Sequence, residues 1–378
     1  MKNVVLAGYA RSPFHFANKG GLAKVRPDEM AGQVVRALVE RTGVNVDDIE
    51  DVIMGCALPE GEQGLNVGRI VGAIAGLPIT VAGSTVNRFC GSSMQSIHMA
   101  AGAIQMNGGE AFICAGIESM TRVPMTGFNP APHPGLYERW PEVYISMGET
   151  AENLARKFQI SRSEQQDLAV VSHERAAGAR EAGKLKNEIV AIKANGAAVE
   201  EDGCIRPGTD QASLDGLDPA FDKDGTVTAG TSSPLTDGAT AVLVCSEDYA
   251  DAHGHEKLAR VKSIAVHGCA PEIMGIGPVG ATKKALERAG LELKDIDVIE
   301  LNEAFAAQAL AVVRETGMDL DKINIDGGAL ALGHPLGATG ARITGKAASL
   351  LKREGGKYAL ATQCIGGGQG IATILEAA

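Results

Sequence analysis

Two cysteines, one histidine and one asparagine stand where chemistry competes with packing as the reason for their presence. Cys90 lies in NRFCGSSMQ, at the edge of a turn of small residues, ahead of Met94, Ile97, Ala101 and Ile104 at helical spacing. A free thiol with a pKa of ~8.5 is mostly protonated at neutral pH, and a helix N-terminus or a nearby imidazole raises its thiolate fraction. Free cysteine also packs as a small hydrophobe, and this stretch alone admits both readings. His334 lies in GGALALGHPLGATG and is the one histidine of eight wrapped in glycine. Glycine lets the backbone approach a neighbour closely, and the His-Pro pair keeps His334 extended. A surface turn is the bland alternative, and the glycines favour function. Cys364, in ATQCIGGGQG, ends a strand pattern before a glycine cluster whose N–H groups can line an anion hole; the alternative is an edge thiol beside a flexible turn. Asn302, in LNEAFA, sits at a strand-to-helix junction, either as an N-cap or as the holder of a water or substrate oxygen.

The elements that must position these residues alternate. Strand patterns fall at VVLAGYA near the start and at 111–116, 240–246, 259–266, 297–302 and 357–364, with helical patterns at 28–41, 92–106, 282–289, 303–316 and 340–353. This alternation predicts a layered α/β protein. Segments 107–119 and 354–368 echo each other as Gly-Gly turn, charge, strand and glycine-bearing loop, each after a helix that follows Cys90 or His334. An echo of this kind implies two related halves whose loops face one cleft. From about Thr121 to Pro219 the chain is richer in Pro, His and charge, holds the only tryptophan, Trp140, and shows a capping box, Ser161-x-x-Glu164. This region reads as an insertion packed on the core. GIGPVG (275–280) satisfies G-x-G-x-x-G, but Pro278 removes a donor and a loop separates it from its upstream strand, so it is set aside as a dinucleotide fingerprint.

Composition narrows the partners. A hydrophobic fraction of 45% with 21% charged residues describes a well-filled core, and 48 glycines point to close backbone approaches. A net charge of −11 argues against nucleic acid and anionic membrane surfaces, leaving an anionic ligand only a local site. Seven scattered cysteines without a CxxC pair support neither a disulfide framework nor a metal site. No targeting segment or membrane-length apolar run is apparent, so a cytoplasmic location is expected.

Taken together, the four motifs resemble those of the thiolase family along essentially the whole chain. NRFCGSSMQ resembles its nucleophile motif, NEAFA its asparagine motif, GGALALGHPLGATG its histidine motif and CIGGGQG its second-cysteine motif. The resemblance implies a thiolase fold: two duplicated halves (1–120 plus 220–255, and 256–378) forming a five-layered αβαβα core, with an inserted loop domain (121–219) that covers the coenzyme A site. It also implies Cys90 as the acylated nucleophile, His334 as its base and Cys364 as the acid/base. Oxyanion holes would come from His334 with Asn302 and from the N–H groups of Cys90 and Gly366. GTVTAGTSSPLTDG resembles the coenzyme A-contacting loop, with Ser233 at the pantetheine arm; Arg206 matches an arginine near the adenine end, and Met274 (in MGIGPV) and Phe305 line the site. Coenzyme A enters as substrate, with no covalent cofactor and no metal. Acyl-CoA and CoA are the implied partners, with a homodimer or homotetramer and a β-oxidation multienzyme partner as further implications.

Within the family, NRFCGSSMQSIH and TAGTSSPLTDG look more like degradative 3-oxoacyl-CoA thiolases than the short-chain biosynthetic type. The competing readings are an acetoacetyl-CoA thiolase working in the condensing direction and a non-catalytic acyl carrier; a β-ketoacyl synthase is disfavoured by Cys364. Three positions depart from the family pattern. Gln363 stands where an apolar residue is usual, Asp326 replaces an asparagine ahead of the double glycine, and Asp218 occupies a place often held by a basic residue.

Overall fold

Strands whose two faces are both apolar need helices on both sides, and this chain supplies them twice. The computed structural model describes residues 2–194 and 196–378. The chain runs β1 (Val4–Arg11), α1 (Pro27–Thr42), β2 (Ile49–Cys56), α2 (Val67–Ala75), β3 (Ala82–Val86), α3 (Ser92–Gln105) and β4 (Ala111–Ser119). An excursion follows, whose main helices are α4 (Met147–Lys157) and α5 (Arg162–Glu181), before β5 (Thr236–Ser246) returns to the sheet. The second run is β6 (Ala259–Gly268), α6 (Gly277–Ala289), β7 (Val298–Leu301), α7 (Ala306–Thr316), α8 (Leu336–Glu354), β8 (Tyr358–Ile365) and β9 (Gln369–Glu376).

Strand order is β7-β8-β9-β6-β1-β5-β4-β2-β3. Outward from the centre, one side reads β1-β5-β4-β2-β3 and the other β6-β9-β8-β7, with matching senses. The pairs β2/β4 and β7/β8 are parallel, while β4/β5, β5/β1, β8/β9 and β9/β6 are antiparallel. A single parallel bridge, Ile299 to Ile323, stands where β3 would be in the second side. The sides meet through a short antiparallel contact, Val5 with Arg260 and Leu6 with Ala259. The echo between 107–119 and 354–368 thus corresponds to β4 and β8 in matching places.

Three cores separate the layers. Met30, Val34, Val35 and Val71 of α1 and α2 cover one face of the first sheet side with Val5, Val52 and Leu243. Ala281, Ala285, Ala309 and Val312 of α6 and α7 cover the far face of the second with Ile299, Leu360 and Ile374. Between them lie α3 and α8, whose Met94, Ile97, Ile343 and Ala347 share a core with Leu6, Val242, Ala359 and Leu375. The alternation Val5 outward, Leu6 inward is the period-two signature of a strand buried on both faces. The resulting order is helix, sheet, helix, sheet, helix.

The two central helices approach through backbone. A Cβ on Gly340 would stand 2.3 Å from the Met94 backbone nitrogen. Only hydrogen fits there, so α8 and α3 meet near their N-termini, just beyond His334 and Cys90. A buried ion pair, Arg342 Nη1 to Glu300 Oε2 at 2.7 Å, ties α8 to β7. Arg11 anchors the excursion by a bidentate pair with Asp202 at 2.7 Å for each oxygen and by a bond to Glu188 at 2.9 Å. Asp326, the departure from asparagine, pairs with Lys346 at 2.7 Å and Arg353 at 2.6 Å, which an uncharged amide would satisfy poorly.

The expected strands and helices are present with shifted ends. Helix α7 starts at Ala306 rather than 303, α6 at Gly277 and α8 at Leu336. The capping box forms in both directions, with Glu164 accepting from Ser161 N–H at 2.8 Å and Ser161 from Glu164 N–H at 3.3 Å. Strands β2, β3 and β9 were not expected. Glu50 and Asp51 interrupt the first, β3 is a half-exposed edge of small and polar residues, and β9 emerges directly from the glycine cluster. Among the described residues no helix is long and apolar enough to cross a membrane.

Gly340→Ala should lower stability by about 1–3 kcal/mol, because the added methyl meets backbone. Gly178→Ala, in α5 with nothing within 4 Å of the new methyl, should add up to about 1 kcal/mol. Thermal unfolding of the two variants checks this, and a parental melting temperature for Gly340→Ala contradicts the close approach.

Candidate active site

The turn before α3 is built by its own side chains. Asn87 Oδ1 accepts from Phe89 N–H at 2.8 Å, and Ser92 Oγ accepts from Arg88 N–H at 2.9 Å while donating to Phe89 O at 2.6 Å. Phe89 is held at φ +42, in the left-handed region unusual for a bulky residue. Arg88 straps the turn to β9 through Gln369 Oε1 at 2.9 Å and to α3 through Gln95 at 2.9 Å. Cys90 follows, buried among Ala57, Leu58, Met120 and Leu336 with Met147 packed against them. Burial pushes its thiol up to about 11, opposed by the Gly366 N–H and by its own N–H, while Glu118 pushes it further up. The expectation that the helix N-terminus makes this thiol acidic is therefore corrected. Desolvation outweighs the dipole, and the resting group is a thiol.

His334 is fixed from three sides. Its N–H donates to Thr236 Oγ1 at 3.1 Å, and Gly333, at φ +101, could not carry a Cβ against the Thr236 side chain. Nδ1 lies 2.6 Å from Thr339 Oγ1, which donates onward to Pro335 O at 3.2 Å. With the hydroxyl proton so committed, Nδ1 carries the imidazole proton and Nε2 the lone pair. Nε2 faces Asn302 Nδ2 at 3.4 Å. Burial, assisted by the Arg342 charge, pushes the imidazole down to about 3, so it is neutral.

Asn302 does not cap α7: Phe305 occupies that position without a side-chain cap. The Asn302 N–H continues the β7/β8 ladder to Thr362 O at 3.0 Å, while its buried Oδ1 has no protein partner. A buried orphan acceptor beside a donor suits an ordered water. Cys364, the penultimate residue of β8, packs with Met274 and Ala304, and with Met147 and Phe305 at their edge. Burial raises its thiol well above the ordinary value, followed by the nearby Cys90 and Cys269 thiols. The two sulfurs thus share one electrostatic neighbourhood. The loop 366–368 joins β8 to β9, with Gly367 and Gly368 at φ +78 and +86, and it aims the Gly366 N–H at Cys90.

The remaining candidates are dispersed along a path. Ser233 N–H donates to Ala304 O at 3.0 Å, and Ser232 bridges to Phe305, which lays this loop beside the Asn302 motif. Arg206 is exposed, its guanidinium 5.1 Å from the Phe16 ring centre, and lines a small recess with His173, Ser232 and Pro234. It does not reach the sulfurs. Asp218 is likewise exposed.

Sequence reasoning missed several supports. Glu118, fully buried, accepts from Ala57 N–H at 2.8 Å, Gly337 N–H at 2.9 Å and Gln63 Nε2 at 2.8 Å, clamping β2, β4 and the start of α8. A glutamate ending an otherwise apolar strand was its only signal. Thr236 and Thr339, which orient the imidazole, carried none, and Met147 joins the Cys90 and Cys364 clusters from the excursion.

Known proteins resemble this chain along its whole length. Residues 4–248 match the model of the thiolase N-terminal domain and residues 255–377 that of the C-terminal domain. The chain is 46% identical to the 3-ketoacyl-CoA thiolase of Bacillus subtilis, covering 100% of both proteins, and 46% identical to that of Marinobacter nauticus, covering 99% of this chain and 98% of the relative. Human mitochondrial 3-ketoacyl-CoA thiolase in complex with CoA superimposes with a TM-score of 0.92 at 40% identity, over 100% of this chain and 98% of that one. The Bacillus anthracis acetyl-CoA acetyltransferase superimposes with a TM-score of 0.92 at 39% identity, over 100% and 99%. The chain belongs to the thiolase family.

Proposed function

We propose that this protein cleaves 3-oxoacyl-CoA with CoA, giving acetyl-CoA and a shortened acyl-CoA, through an acyl group carried on Cys90. What carries the reading is the pairing of a Cys90 thiol that receives the Gly366 N–H with a second buried thiol, Cys364, close enough to be raised by it. Cys90 Sγ attacks the 3-keto carbon while His334 Nε2 takes the thiol proton, and the resulting alkoxide is held by the N–H groups of Cys90 and Gly366. The bond between the second and third carbons then breaks. The acyl group stays on Cys90 and the acetyl-CoA enolate leaves, taking a proton from Cys364. CoA next delivers its thiol proton to the Cys364 thiolate and takes the acyl group from Cys90, whose departing thiolate recovers its proton from His334 Nε2.

The protonation states explain the order. Neutral His334 has no donor at Nε2 until it accepts the Cys90 proton, and only then can it stabilise the enolate oxygen, together with a water at Asn302. Each such donor contributes about 3 kcal/mol to comparable transition states. Because both groups rest uncharged, proton transfer must accompany carbon–sulfur bond formation.

The Ser233 loop and Arg206 would take the pantetheine arm and the nucleotide end of CoA, Met274 and Phe305 would line the acyl end, and the segment 121–219 would form a domain inserted within the N-terminal half, 1–120 plus 220–255, with 256–378 as the C-terminal half. All seven cysteines are free, which suits a reducing cytoplasm. Strand β3 leaves an unpaired edge, and nearby Leu65, Ile79 and Met106 are 90%, 89% and 82% exposed. Such an edge suits pairing with a second copy, hence a homodimer or a tetramer of such dimers.

Cys90→Ser should abolish acyl-enzyme detected by mass spectrometry after acetyl-CoA and lower thiolysis by about a thousandfold or more; near-parental turnover refutes the nucleophile. Cys364→Ala should still acylate Cys90 but lose exchange of the acetyl-CoA α-proton, and unchanged exchange contradicts its role. Since the thiol titrates at about 11 and the imidazole at about 3, the acylation step should stay flat from about pH 5 to about pH 9. It should fall only as His334 protonates on the acid side; a limb near pH 7 would indicate a preformed ion pair. Comparing acetoacetyl-CoA with longer 3-oxoacyl-CoAs separates the degradative reading from an acetoacetyl-specific one, for which turnover ends at four carbons.

A further inference from the structure

Gln363 has no part in the mechanism above, yet it is fully buried and its Nε2 donates to the carbonyl oxygen of Cys90. That oxygen lies one residue ahead of the α3 N-cap, outside the helical ladder, whose first bond runs from Gln95 N–H to Gly91 O at 2.9 Å. Among the described residues Gln363 is the only partner of the Cys90 carbonyl. The other amide atom, Oε1, has no partner at all. A buried orphan oxygen is costly, so an apolar side chain would serve packing better here.

The topological repeat supplies a second, independent observation. Cys56 pairs with Ile117 across β2/β4 and Leu301 with Thr362 across β7/β8, so Glu118 and Gln363 occupy matching positions, each one residue beyond its pair. Glu118 accepts from Gly337 N–H at the start of α8. Gln363 donates to Cys90 O at the start of α3. Each strand end thereby fastens the start of the central helix that belongs to the other half, with the chemistry matched to what is offered: a carboxylate for an N–H, an amide N–H for a carbonyl.

We infer that Gln363 is a positioning residue for the nucleophile: by fixing the Cys90 carbonyl to β8 it orients the Cys90 peptide and thiol relative to Cys364 on the same strand and to Gly366 in the loop just after it. The bond opposes rotation of a peptide flanked by the strained Phe89 and by Gly91. The inference rests on Cys90 being the acylated residue.

The test compares single-turnover acylation by acetyl-CoA in the full-length parent, Gln363→Leu and Gln363→Glu, with melting temperatures for all three. Gln363→Leu should acylate about ten- to a hundredfold more slowly, the scale of a displaced reacting group, while melting near the parental temperature, because it removes one buried orphan oxygen, Gln363 Oε1, and leaves another, the Cys90 carbonyl. Gln363→Glu should donate to the carbonyl only when its carboxyl is protonated. Its acylation should approach the parent at low pH and decline as pH rises, a limb absent from the parent. Parental acylation in Gln363→Leu, or a loss matched by a lower melting temperature with no new limb in Gln363→Glu, overturns the inference. If the parent itself acquires no acyl group on Cys90, it is the function reading that fails.

Discussion

The constraint on which the rest depends is the backbone contact between α3 and α8. Helices carrying side chains at their crossing stay about 8–10 Å apart, and at that separation the residues ahead of their N-termini would diverge. Gly340 against the Met94 nitrogen removes this spacing. The same close fit recurs where Gly337 would meet Cys56 and Ile117 and where Gly116 would meet the Gly337 carbonyl. The glycine richness of the chain is thus spent on bringing two helix starts and two strand ends to one place.

Burial then decides the chemistry. In water, a thiol beside an imidazole titrates in the neutral range and the pair can ionise. Here desolvation moves the two groups in opposite directions, the thiol up and the imidazole down, so the uncharged pair is the stable one. The Arg342 charge adds to the effect on His334, and Arg342 is itself compensated by Glu300. A neutral resting site protects the thiol from adventitious oxidation, since thiolate is the reactive form. In the proposed reaction, reactivity would appear only when a carbonyl arrives to accept the developing charge.

Much of this was legible in the sequence, for identifiable reasons. Cys90, His334, Cys364 and Asn302 stood out because each sits beside glycines or at a junction where its side chain serves packing poorly, and the structure sets Asn302 against His334 and Cys90 near Cys364. Strands buried on both faces were visible as apolar runs. Strand β3 was not, because an edge strand of Ala, Gly, Ser and Thr carries neither alternation nor an apolar run, and β9 was hidden by the glycines that open it. The hydrogen-bond partners were invisible altogether. Thr236 reaches His334 across 98 positions and Glu118 reaches Gly337 across 219, and no local pattern encodes such pairings. The ionisation of Cys90 was misread for a related reason, because a dipole can be placed from local sequence whereas burial requires the whole fold.

The pseudo-symmetry of the core also explains how one site holds two different thiols. Cys90 and His334 occupy corresponding places ahead of α3 and α8, so the repeated framework offers two equivalent helix starts and fills one with the proposed nucleophile and the other with its proposed base. Cys364 has no cysteine counterpart, because the matching strand end carries Ser119, whose hydroxyl donates to Asp237 at 3.0 Å and stays structural. Asn302 likewise corresponds to Ala57, which has no polar side chain and offers only backbone groups, its N–H to Glu118 and its carbonyl to Asn87. The framework is therefore symmetric in what positions groups and asymmetric in what reacts. A reaction with distinct nucleophilic and proton-transfer steps requires that asymmetry, since two identical half-sites would supply the same group twice to a substrate that presents two different carbons.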